Sequence, residues 1–279
     1  MPEANTEGER DGQAADFTPT AHARGPWDPH ALHGGAPAAL IASAFERLQP
    51  GAELRIARLD FQFLRPIPMA PLRLSVRIVR PGRRVQELAG ELVALAPDGD
   101  EDRAQLVCRA GALRVLEIPP EVPEAPAEDG AGPDMQPPET ASPLRFALDG
   151  TSEEESFALS AMEMRTPAGG RDPRELGPAQ VWMRMRHPLL AGQELTPLAR
   201  LAATADFGNG ISAALPFNEF LFINADLTVH LQRHPRGEWI GLDARTLLHA
   251  GGTGLAESVL HDVHGPVGRA FQTLVVQPR

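Results

Sequence analysis

Apolar residues follow two rhythms along this chain. Between 36 and 48 almost every position is small or apolar, with neither a one-sided stripe nor a strict alternation. A helix that is apolar all round must be buried all round, and at about a dozen residues it is far too short to cross a bilayer. Elsewhere apolar and polar side chains alternate, the mark of half-buried strands. Such runs fall at 54–64, 72–80, 85–95 and 104–116, separated by Pro50-Gly51, Arg65-Pro66, Pro81-Gly82 and Asp98-Gly99-Asp100. The pattern predicts one helix followed by four antiparallel strands.

The same order returns further on. Residues 1–15 are poor in apolar side chains and read as disordered, and 17–29, with Trp27, as an edge strand or lid. Residues 119–143 are rich in proline, glutamate and alanine and form a linker that cannot build a core. Beyond it lie a strand at 180–186, a helix from Pro197 to Asp206 with Thr196 as its N-cap, and strands at 220–231, 239–248, 254–262 and 268–276. Arg65 matches Arg233, Leu88-Ala89 matches Leu255-Ala256, Asp98-Gly99 matches His264-Gly265, and Arg103-Ala104 matches Arg269-Ala270. The expected fold is α+β: two repeats, 16–118 and 144–279, each a central helix wrapped by an antiparallel sheet. The sheets should join edge to edge about a pseudo-twofold axis, with the linker crossing on the surface.

Composition removes several classes of function. A formal charge of −11 argues against a nucleic-acid or anionic-membrane binder. No long uncharged run suggests membrane insertion, and the acidic N-terminus does not read as a signal peptide, so a cytoplasmic location is expected. The single cysteine, Cys108, excludes an internal disulfide. The chain has no lysine and no tyrosine, which rules out Schiff-base chemistry, a phosphate-loop lysine and a phenolic acid. His261-Asp262-Val263-His264 has no third ligand nearby, so neither a metal nor a cofactor is expected.

The candidate chemistry lies at the two helices. His33-Gly34-Gly35 opens the first, where unpaired N–H groups and a partial positive charge suit a developing oxyanion. Asp206 ends the second, where the first helix has Ala42. Asp206 could instead cap the turn Phe207-Gly208-Asn209-Gly210, an ordinary task for aspartate before glycine. One half thus holds the glycines and the other the acid. Gly210-Ile211-Ser212-Ala213-Ala214 lacks the second glycine of a nucleophile elbow, which disfavours Ser-His-Asp hydrolysis. Arg83-Arg84 could meet coenzyme A phosphates or simply tip a solvated turn.

A histidine and paired glycines before a small, buried helix resemble the helix start of hotdog-fold thioesterases. The tandem repeat resembles the double hotdog of the type II acyl-CoA thioesterases. That resemblance covers most of 25–118 and 175–277, and it implies hydrolysis of an acyl-CoA or acyl carrier protein thioester by a homodimer. It also implies that Asp206, Asn224 and Gln272 hold and activate a water, with Asn224 standing where the family has threonine. His33, Gly34 and Gly35 would then face the substrate, with the oxyanion at Gly35 N–H and His33 fixing the loop. Hotdog hydratases and dehydratases pair an aspartate with a histidine a few residues on, and Asp206-Phe207-Gly208-Asn209-Gly210 supplies none. The change at Asn224 leaves open a non-catalytic acyl-thioester binding or assembly protein.

Overall fold

The computed structural model describes residues 12–48, 53–96, 100–117, 135–145 and 155–279. The expected turns at Pro50-Gly51 and Asp98-Gly99, the linker at 119–134 and residues 1–11 lie outside them. The first unit comprises β1 (Gly12–Phe17), α1 (Gly35–Arg47), β2 (Leu54–Phe63), β3 (Leu72–Arg80), β4 (Val85–Ala94) and β5 (Gln105–Leu116). The second begins with β6 (Ser142–Leu144), a π-helical turn (Phe157–Ala161), β7 (Met162–Thr166), β8 (Ala179–Met185), α2 (Pro197–Ala205) and α3 (Gly208–Ile211). It closes with β9 (Phe220–Asn224), β10 (Asp226–Leu231), β11 (Ile240–His249), β12 (Thr253–Asp262) and β13 (Gly265–Pro278).

The strands make one antiparallel sheet in the order β1-β3-β4-β5-β2-β10-β13-β12-β11-β8-β7-β6, with β9 also on β13. The two units therefore meet edge to edge at β2 and β10, where Asp60 faces Thr228. Outward from this seam Asp60 faces Gly111 and Thr228 faces Phe271. The next steps pair Gly111 with Ala89 and then Arg77, and Phe271 with Glu257 and then Arg245. Asp60, Gly111, Ala89 and Arg77 thus correspond to Thr228, Phe271, Glu257 and Arg245, and five residues beyond Asp60 and Thr228 stand Arg65 and Arg233.

This register corrects two of the expected matches. Leu88 corresponds to Ala256, not Leu255, and Arg109-Ala110, not Arg103-Ala104, corresponds to Arg269-Ala270. Side chains alternate with period two, so a one-residue slip would set buried Leu88 against exposed Leu255.

Three further expectations change. Residues 12–15 belong to β1, whose backbone pairs along β3 although its side chains bury little. The end of the linker does not cross freely: Trp182 Nε1 donates to Gln136 O at 2.7 Å, Ala141 is buried, and Ser142–Leu144 pairs with β7. The run 220–231 is two strands rather than one. From Asn224 to Thr228 the chain takes four steps while the facing strand takes three, from Leu274 to Phe271. That extra residue is a β-bulge, and it reverses which side chains face inward. The seam partner β2 carries a matching irregularity between Ile56 and Arg58.

The helices fill the concave side. Ala38, Ala39, Ile41, Ala42 and Phe45 of α1 are wholly excluded from solvent, as its apolar circumference requires. It packs on α2, which Thr196 opens by accepting the Ala199 N–H at 3.1 Å. Arg114 is buried beneath the end of α1, donating to Phe45 O, to Leu48 O at 2.7 Å and to Gln86 Oε1 at 3.0 Å. It satisfies carbonyls that a helix end leaves unpaired.

Candidate active site

Two helix ends and one strand bulge bring the polar groups together. Leu32 N–H donates to Ile67 O at 2.7 Å and His33 N–H to Ala23 O at 3.0 Å, which pins the loop before α1. The imidazole of His33 stacks on Phe207 with ring centres 4.3 Å apart. Gly34 and Gly35 follow. A Cβ on Gly34 would lie 2.8 Å from Asp206 Oδ2, and one on Gly35 would lie 2.5 Å from Ala203 O. Only glycine lets α1 start this close to the end of α2.

Asp206 terminates α2 and is buried, 4% exposed. Asn224 Nδ2 donates to its Oδ1 at 2.8 Å, and His33 Nδ1 stands 3.0 Å from its Oδ2. The Gly35 N–H points at the same ring nitrogen from 3.0 Å. Nδ1 cannot serve a donor and an acceptor at once. A lone pair there would face the carboxylate, so the proton sits on Nδ1 and the charge-assisted bond to Asp206 prevails.

Gln272 is buried behind Asp206. Its Nε2 donates to the Asp206 carbonyl at 3.1 Å, its Oε1 accepts the Asn209 N–H at 3.0 Å, and Nε2 lies 3.5 Å from Asp206 Oδ1. The amide therefore clamps the turn between α2 and α3.

His33, Gly34, Asp206 and Asn224 share the wall of a cavity of about 540 Å³. Trp27, Leu32, Ile67, Phe217, Leu221 and Val275 make much of the remainder, so its surface is largely apolar. Gly35 and Gln272 do not border it. The expected set thus assembles around Asp206, with two members outside the cavity wall.

Two features lay beyond the sequence reading. His33 touches the Asp206 carboxylate directly rather than only fixing its loop. The first helix also carries an acid, Glu46, one turn beyond Ala42, and its carboxylate accepts a hydrogen bond from Thr196 Oγ1 at the start of α2. This contact answers that of Asp206 with the start of α1; the mutual approach of helix ends in the repeat is the signal that could have revealed it. Among the described residues no group of three or more metal-binding side chains occurs. Asp262 instead holds Arg233 through two bonds of 2.6 and 2.7 Å.

Residues 23–113 match the family model of the acyl-CoA thioesterase N-terminal domain, and residues 123–276 that of the acyl-CoA thioesterase C-terminal domain. No curated protein is matched. Among solved structures, a protein of Novosphingobium aromaticivorans provisionally described as a thioesterase is 20% identical, with TM-score 0.70 and 96% of each chain covered. Acyl-CoA thioesterase II from Mycobacterium marinum is 18% identical, with TM-score 0.61, covering 90% of this chain and 92% of that one. A hotdog-fold protein of Alicyclobacillus acidocaldarius is 17% identical, with TM-score 0.68, covering 99% and 95%. These likenesses establish a double-hotdog fold.

Proposed function

Because the chain belongs to the acyl-CoA thioesterase family, we propose that it hydrolyses acyl-CoA thioesters with a water that Asp206 deprotonates. The observation that carries this reading is a buried carboxylate at the wall of an apolar cavity, gripped at both oxygens by Asn224 and His33. A thioester is already an activated acyl group, so a held water replaces a covalent nucleophile. Water oxygen adds to the thioester carbonyl while its proton passes to Asp206. The oxyanion forms beside Gly34, at the positive end of α1, and collapses to expel the coenzyme A thiolate. That thiolate takes the proton back, leaving a free acid and a thiol.

Asn224 stands where the resemblance calls for threonine, and its amide keeps a donor on the carboxylate. Gln272 is a positioning residue, because both ends of its amide are spent on the backbone around Asp206. The apolar wall suits a hydrocarbon acyl chain.

The test is a panel of acyl-CoA substrates followed with a thiol-detecting reagent. Asp206→Asn should lower kcat by about two to four orders of magnitude with little change in substrate binding. An unchanged rate in that variant would sink the mechanism. A parent chain that binds acyl-CoA without turning it over would favour the binding-protein reading.

A further inference from the structure

The seam between β2 and β10 has two ends, and the pseudo-twofold axis carries one onto the other. The cavity above Asp206 is bordered at its seam end by Leu64, Arg65, Ile223 and Val275, with Ile223 facing Val275 across the strands. At the opposite end a second hollow, of about 440 Å³, is bordered by Gln232, Arg233, Arg55 and Val115, with Arg55 facing Val115 in the same way. These are register counterparts, residue for residue. Asn224 and Gln272 have no equivalent here, for Ile56 stands in place of the first and Ala112 in place of the second.

The lining has moved from apolar towards cationic. Arg55 replaces Ile223, Gln232 replaces Leu64, and Arg236 is added. Arg84 O accepts the Leu116 N–H at 2.8 Å, which sets the exposed Arg83-Arg84 turn beside the same end rather than at the Asp206 cavity. In a chain of net charge −11 this gathering of arginines reverses the local sign.

Their commitments differ. Arg233 is tied to Asp262, whose side chain is fully buried, and so braces the loop. Arg55 pairs with Glu117 at 2.9 Å, but the two side chains are 51% and 60% exposed, and such a pair exchanges readily. Arg236 is anchored through its backbone N–H to Asp262 at 2.9 Å, and its side chain is exposed. His234 Nε2 lies 2.8 Å from Ile56 O, and burial holds its imidazole below the usual histidine range, so it adds no charge at neutral pH.

We propose that this hollow is a second, non-catalytic binding site for a phosphate-bearing anion, read by Arg55 and Arg236 with Arg83-Arg84 at its rim. Guanidinium forks match phosphate oxygens in pairs, and the half-buried Ala57 and Leu231 offer apolar surface for the rest of a nucleotide-sized molecule. The same chemistry belongs to free nucleotides and to the adenosine bisphosphate head of coenzyme A.

Titration calorimetry on the full chain, with pyrophosphate, ADP and adenosine 3′,5′-bisphosphate as probes, tests this. Binding should weaken as salt is added, and Arg55→Ala and Arg236→Ala should each weaken it by about tenfold. Arg65→Ala, at the catalytic cavity, should leave it unchanged. A preference for the bisphosphate over ADP would mark coenzyme A as the source, and the reverse a free nucleotide. The site is overturned if none of the probes binds, or if binding survives the loss of both Arg55 and Arg236. The readout is binding alone, so it stands or falls separately from thioester hydrolysis.

Discussion

Glu46 and Cys108 show what burial does to a titratable group here. Desolvation raises the Glu46 carboxyl above its ordinary value, against the opposing pull of Thr196 and of Arg47 and Arg114. The folded chain therefore holds this proton more tightly than the unfolded chain. The resulting stabilisation is complete below the ordinary glutamate range and is lost as pH rises through the raised value. Glu46→Gln keeps an acceptor for Thr196 and removes that slope. Its urea midpoint should rise relative to that of the parent as pH goes from 4.5 to 7.5. Burial also pushes the Cys108 thiol up to about 12. The native protein should release almost no signal to a thiol-detecting reagent and one equivalent per chain once denatured, which leaves the hydrolysis assay clean.

At the scale of elements, adjacent glycines at the start of α1 have separate tasks. Gly34 has helical dihedrals that alanine adopts freely, φ −59 and ψ −25, but a Cβ there would press on the Asp206 carboxylate. Gly34→Ala should cut kcat by about a hundredfold while the melting temperature stays within a few degrees, a split visible in paired kinetics and calorimetry. Gly35 faces Ala203 O instead, so its substitution should loosen α1 from α2. Both glycines were legible as a helix start, and Thr196, Asp206 and most strands were legible from spacing, because burial on one face leaves its period in the chain. The bulge at Ala225 was not, since one extra residue between strands has no compositional mark. It decides that Asn224 points inward at all. Nor was β7 read, a short alternation of Met162, Glu163, Met164 and Arg165 hidden behind a polar stretch.

At the scale of the molecule, one sheet face is left uncovered by the described residues. Ile223 and Val275 face each other across β9 and β13, Leu247 and Leu255 across β11 and β12, and all four are exposed. Such a stripe is costly in water. We expect a homodimer, with light scattering at micromolar concentration giving twice the chain mass. Leu247→Lys should shift it towards monomer, and a monomeric parent would refute the expectation. The seam has a different consequence, and it concerns heredity. In a pair of identical separate subunits, one codon change strikes both copies of a site together. Here the halves share a chain, so Ile56 and Ala112 can occupy one end without any cost to Asn224 and Gln272 at the other. A gene that carries its own partner can let one end drift towards new ligands while selection guards the other.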